Sequence, residues 1–205
     1  MTTLGQIVVL NGAPRAGKSS IVRVVQATFD GLWINLGVDV ARSTAPEWCQ
    51  PAIGLRPGEP DHVAALHLPV LYAAIYESIA SHSRLGLNVV AEFGHHDPDV
   101  LSDCARRLEA LPALLVGVRC PIAVIMERRN ASPGSYATGT VDDPPEPVRR
   151  WQDAVHVPGV YDLEVDTSVL TPEQCADAIR ARLDSGSPGT AFRLLAERAT
   201  RTGTI

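Results

Sequence analysis

Gly12-Ala13-Pro14-Arg15-Ala16-Gly17-Lys18-Ser19 follows directly on the apolar run Gln6-Ile7-Val8-Val9-Leu10. An octapeptide of the form G-x-x-x-x-G-K-[ST] leaves few choices of fold. It needs a strand that delivers the chain to a tight turn, and a helix whose first N–H groups face an anion. The β-branched run reads as a buried parallel strand. Beyond Ser19, apolar Ile21, Val24, Val25 and Phe29 recur at helical spacing until Asp30-Gly31 breaks the pattern. The sequence therefore predicts strand, phosphate loop and helix, with the backbone from Gly12 to Ser20 wrapping phosphates, Lys18 on the outer phosphates and Ser19 on Mg²⁺. Of 18 lysines and arginines, Lys18 is the one lysine. A chain that otherwise uses arginine has kept a compact ammonium where a planar guanidinium would not fit.

With 205 residues, 45% of them hydrophobic, the chain can bury one sizeable core. A net charge of −5 argues against a nucleic-acid or anionic-membrane binder, since those affinities come from basic patches. The longest apolar runs fall short of the ~20 residues that span a bilayer, and the first residues lack the charged head of a secretion signal. A cytoplasmic protein acting on small molecules is expected. Cys49, Cys104, Cys120 and Cys175 lie far apart, which predicts reduced, packed thiols rather than a zinc knuckle or a disulfide framework.

Further strands are predicted over 32–36, 87–93, 113–118 and 161–165, and helices over 62–83, 98–111, 122–129 and 172–183. Strands alternating with helices imply a three-layer α/β fold with a parallel sheet of about five strands. The proline-rich stretch 42–60 and the Gly/Ser/Pro-rich stretch 130–147 break the alternation and read as mobile loops over a site. Residues 1–184 form the expected kinase domain; 185–205 reads as an extension, a linker followed by a short, loosely docked helix at 191–199.

Carboxylates stand at two strand ends. Asp39, after the second strand, sits at the edge where open α/β sheets bind ligands, and suits a general base for an attacking hydroxyl; a helix-capping role is equally compatible. Glu92 occupies the place where phosphate-loop enzymes keep an acid for Mg²⁺. His95-His96-Asp97-Pro98-Asp99 has metal-ligand vocabulary but no partner motif, so a polar loop in which Asp97 or Asp99 caps a helix is the better reading. Arg119 is placed to stack near a nucleotide base, and Arg128 or Arg129 to bridge phosphates; Arg129 reads equally well as a solvated helix end.

Several runs beyond the loop resemble the chloramphenicol phosphotransferases, P-loop kinases that phosphorylate an antibiotic hydroxyl. They are Ile7 to Gly12, Gly37-Val38-Asp39, Val116-Gly117-Val118-Arg119-Cys120, Val155-His156 and Tyr161-Asp162-Leu163-Glu164-Val165-Asp166-Thr167, spread over about residues 5–184. The resemblance implies a nucleoside-monophosphate-kinase-like fold, ATP or GTP as donor with Mg²⁺, and a small hydroxylated acceptor. It also implies Asp39 as general base and Arg128 with Arg150 in a phosphate clamp. The chain departs from that pattern in three places. The segment after Arg129 lacks the family's arginines, Glu92 stands for an aspartate, and the acceptor-side stretch 40–71, with Trp48, His62 and His67, differs. A different antibiotic is the expected acceptor. A nucleotide-binding regulator and a kinase of primary metabolism stay open as alternatives, as does a homo-oligomeric state.

Overall fold

A computed structural model of the chain describes residues 3–44, 68–132, 137–157 and 159–202. Five strands alternate with helices: β1 (Ile7–Asn11), α1 (Lys18–Thr28), β2 (Trp33–Asn35), α2 (Val38–Thr44), α3 (Leu68–Arg84), β3 (Asn88–Phe93), α4 (Pro98–Leu108), β4 (Ala113–Arg119), α5 (Ile122–Asn130), α6 (Glu146–Ala154), β5 (Leu163–Asp166), α7 (Pro172–Asp184) and α8 (Ala191–Thr202). The strands form one parallel sheet in the order β2-β3-β1-β4-β5.

The central strand shows why its sequence is a continuous apolar run. Val8 and Leu10 point into one core layer with α1, α5, α6 and α7, whereas Ile7 and Val9 point into the other with α3, α4 and α8. Successive side chains on a strand face opposite ways, so a sheet covered on both sides must be apolar at every position. The expected three-layer fold is what the chain adopts.

Two helices differ from the sequence reading. α2 places Asp39 in its first turn, directly after β2. α6 begins at the end of the stretch 130–147 expected as a loop and continues over residues the sequence assigns to no element. Pro147 lies in its first turn, where the missing N–H costs nothing, and Val148, Trp151 and Val155 supply a buried face at helical spacing.

The C-terminal segment docks more tightly than its composition suggested. Ala191, Phe192, Leu195 and Ala196 of α8 are buried against α4 and β4. Asp162 fixes the start of the helix, its Oδ1 accepting from the N–H groups of Thr190 at 2.6 Å and Ala191 at 3.1 Å. Phe192→Ala should lower the free energy of unfolding by about 3–5 kcal/mol, read by chemical denaturation. A loss below about 1 kcal/mol would mean that α8 is dispensable to the core. Cys104, Cys120 and Cys175 are buried free thiols. Cys49 lies outside the described residues, as do Trp48, His62 and His67 and most of the stretches 42–60 and 62–67.

Candidate active site

The central strand ends in Asn11 and hands the chain to the phosphate loop at the carboxyl edge of the sheet, with β3 on one side and β4 on the other. Gly12 is pressed against β4: a Cβ there would lie 2.5 Å from the Val118 carbonyl oxygen. Gly17 takes a left-handed conformation and starts α1. Lys18 is buried, and its ammonium donates to the carbonyls of Gly12 at 2.8 Å and Ala13 at 2.9 Å. Burial lowers its pKa, while the charges of Glu92 and Asp39 oppose that shift.

Glu92, at the end of β3, accepts a 2.8 Å hydrogen bond from the Ser19 hydroxyl. Burial raises its pKa; Lys18 and the Ser19 bond pull it down, and Asp39 pushes it up again. The close approach depends on Gly37, where a Cβ would come within 2.8 Å of Glu92 Cγ. Asp39 is exposed at the same edge, and its charge reaches Lys18, Glu92 and Tyr72. Ser19 and Glu92 are thus bonded beside Lys18, and Asp39 from a third segment lies within electrostatic reach of them.

Ser19 Oγ and the Glu92 carboxylate are adjacent oxygen donors of the kind Mg²⁺ prefers. Among the described residues no group of three His, Cys, Asp or Glu could hold a metal alone.

Arg128 is turned onto protein. Its Nη1 donates to Thr167 Oγ1 at 3.1 Å and to the Arg15 carbonyl at 3.3 Å, and its Nη2 to the Thr167 carbonyl at 2.7 Å. The side chain braces the loop through these contacts, beside the place where a phosphate clamp is expected. Arg119 pairs with Glu164 and lies 5.7 Å from the Tyr161 ring centre, so it is engaged by β5 and its approach. Arg129 is not a solvated helix end: it is fully buried and its Nε donates to the Ala137 carbonyl. Arg150 is exposed on α6, with its charge felt by His96. Asp97 caps α4, accepting from the N–H groups of Asp99 and Val100.

The sequence reading passed over Asn11. Its amide donates to the Val155 carbonyl at 2.8 Å and the Tyr161 hydroxyl at 3.0 Å, and its Oδ1 accepts from the His95 N–H at 2.8 Å. A polar residue closing an apolar strand just before the loop was the available signal. His95 itself is buried, 2.7 Å from the Tyr76 hydroxyl and stacked on Phe93. Burial foremost lowers its pKa to about 3, and that of His156 to about 4. Unfolded, both titrate near 6.5, so between these values the unfolded chain binds more protons than the folded one. Stability should therefore fall as pH drops below 6.5, by up to about 1.4 kcal/mol per pH unit per histidine. His95→Gln should flatten the slope of unfolding free energy between pH 6.5 and 4; an unchanged slope would mean that His95 is protonated in the fold.

A central parallel strand, a phosphate loop on a helix N-terminus and an acid at the next strand end define a P-loop phosphotransferase of the small-molecule-kinase class. The chain belongs to the chloramphenicol phosphotransferase-like family, whose family model matches residues 5–184. No curated protein matches it by sequence. Among solved structures, the fold is similar to the Deinococcus radiodurans tunicamycin resistance protein, at 15% identity and a TM-score of 0.62 over 87% of this chain and 95% of that one. It is also similar to shikimate kinase from Acinetobacter baumannii in complex with shikimate, at 12% identity and a TM-score of 0.61 over 90% and 96%. A third similar fold is the Mycobacterium tuberculosis APS kinase with AMPPNP and APS, at 12% identity and a TM-score of 0.62 over 88% and 98%. At such identities the likeness is one of fold. No helix among the described residues is long and apolar enough to cross a membrane.

Proposed function

We propose that the chain transfers the γ-phosphoryl group of ATP or GTP to a hydroxyl of a small molecule, and that the acceptor is an antibiotic. The observation that carries the reading is the exposed Asp39 carboxylate, standing at the sheet edge with its charge felt by Lys18 and Glu92. A base placed beside the phosphate-binding residues yet open to solvent can receive a second substrate, take the proton of its hydroxyl and aim the oxygen in line with the γ-phosphorus. The new P–O bond forms to that oxygen, and the bond to the nucleoside diphosphate breaks. Lys18 and the loop N–H groups offset the phosphate charge. Mg²⁺, held by Ser19 and Glu92, would supply further charge on the phosphate oxygens. Gly12 to Ser20 hold the nucleotide, with Arg119 toward the base and Arg128 and Arg150 as the candidate phosphate clamp.

Family membership supports an antibiotic acceptor, and the tunicamycin resistance protein among the similar folds is consistent with it. A cytoplasmic setting follows from the nucleotide requirement. The test is mass spectrometry of a library of hydroxylated antibiotics and metabolites incubated with the protein, Mg²⁺ and ATP or GTP. A phosphorylated antibiotic establishes donor and acceptor together. Phosphate on a sugar or another primary metabolite instead would refute the antibiotic reading, and nucleotide binding without any transfer would point to a regulator.

A further inference from the structure

Arg15 is the only non-glycine residue with positive φ among the described residues, at 71°. Left-handed backbone is unfavourable for any side chain with a Cβ and is normally left to glycine or asparagine. A residue held there persists when its surroundings over-determine it. Here the surroundings are identifiable. Arg15 Nη2 donates to the Arg128 carbonyl at 2.6 Å and to Ser132 Oγ at 3.1 Å, while Arg128 Nη1 returns a bond to the Arg15 carbonyl at 3.3 Å. Thr167 completes the circuit: it accepts from Arg128 and donates from Oγ1 to the Ala16 carbonyl at 2.6 Å. The phosphate loop, the last turn of α5 and the tip of β5 are thereby fastened to one another through side chains.

The neighbouring sequence makes this fastening more consequential. Residues 130–147 contain Asp142, Asp143 and Glu146 but no lysine or arginine. The stretch after α5 thus adds no cationic charge, which on this side of the loop comes from Arg128 in the last turn of α5 and from Arg15 within the loop itself. Its position at the C-terminal turn of α5 also complements the helix dipole.

We propose that Arg15 is a positioning residue for the nucleotide: its guanidinium, bonded to the Arg128 carbonyl and Ser132 Oγ, holds the loop backbone in the phosphate-binding conformation, while Arg128 and Thr167 brace the same loop from the other side. Nη2 serves both acceptors through its two N–H groups, held in the plane of a rigid guanidinium at a reach and angle that the flexible lysine stem does not match. The role is independent of which acceptor the protein phosphorylates.

Calorimetric titration of Arg15→Gly and Arg15→Lys with Mg·ATP and Mg·GTP, alongside thermal melts and without any acceptor, tests it. Arg15→Gly should melt close to the parent chain, because glycine adopts the left-handed backbone without strain, yet bind nucleotide about tenfold more weakly, a difference of about 1.4 kcal/mol. Arg15→Lys should also bind weakly despite keeping its charge. Parent-like affinity in Arg15→Gly overturns the proposal. Restoration by lysine reduces the role to charge, and a melting temperature that falls in step with affinity reduces it to a structural strut; either overturns it too. A parent chain that binds neither nucleotide refutes the phosphate-loop reading, and this inference with it. Loss of the antibiotic reading alone leaves the titrations unaffected.

Discussion

Asp39→Ala should lower turnover by roughly 10²-fold or more, the usual worth of a positioned general base, while nucleotide affinity stays level or improves slightly. The asymmetry follows from placement. Asp39 is exposed in the first turn of α2 and contributes nothing to the loop's backbone. Its negative charge lies near Lys18 and Glu92, so its removal takes away a repulsion toward bound phosphate. Asp39→Asn keeps the shape and removes the basicity, and should be nearly as slow. Steady-state kinetics with the acceptor found by mass spectrometry, together with nucleotide titration, checks both halves. Normal turnover in either variant would remove Asp39 from the mechanism, and weakened nucleotide binding would mean that it holds the donor.

Lys18→Ala should cost about 10²–10³ in kcat/KM, in the range for deleting one preorganised group that stabilises developing charge. The loss should appear in nucleotide use itself. The buried ammonium now spends its hydrogen bonds on the Gly12 and Ala13 carbonyls, a local arrangement that phosphate oxygens can replace. Burial already lowers its pKa, so the fold carries a desolvation cost at this side chain, and its removal should not lower the melting temperature in proportion to activity. Glu92 would lose its largest stabilising charge, and its pKa would rise further. Lys18→Arg should fail to rescue, because the guanidinium is larger and planar. A lysine variant with parent-like kcat/KM would show that the loop does not bind the phosphates.

The strands and most helices were legible because each announces itself locally. A run such as Ile7-Val8-Val9-Leu10 reads as a strand covered on both faces, and Ile21, Val24, Val25 and Phe29 as one side of a helix; Val22 joins Ile21 and Val25 in the buried face, while Val24 and Phe29 lie at its margin. The loop was legible for the same reason: its glycines, its lysine and its serine act through backbone conformations that lie within eight residues. Where reading failed, the deciding partner was remote in sequence. α6 stayed unassigned until Val148, Trp151 and Val155 were seen to enter the core. Likewise α8 looked loose until Asp162 was seen to hold its first turn.

The sequence alone determined a P-loop α/β fold and singled out Lys18, Ser19, Asp39 and Glu92 as candidates, because short-range geometry and residue chemistry suffice for that much. Only the tertiary structure decided what the arginines do, since a guanidinium on a long flexible stem takes whichever acceptors the fold brings within reach. Arg128 went to the carbonyls of Arg15 and Thr167, Arg119 to Glu164, and Arg129 into the interior.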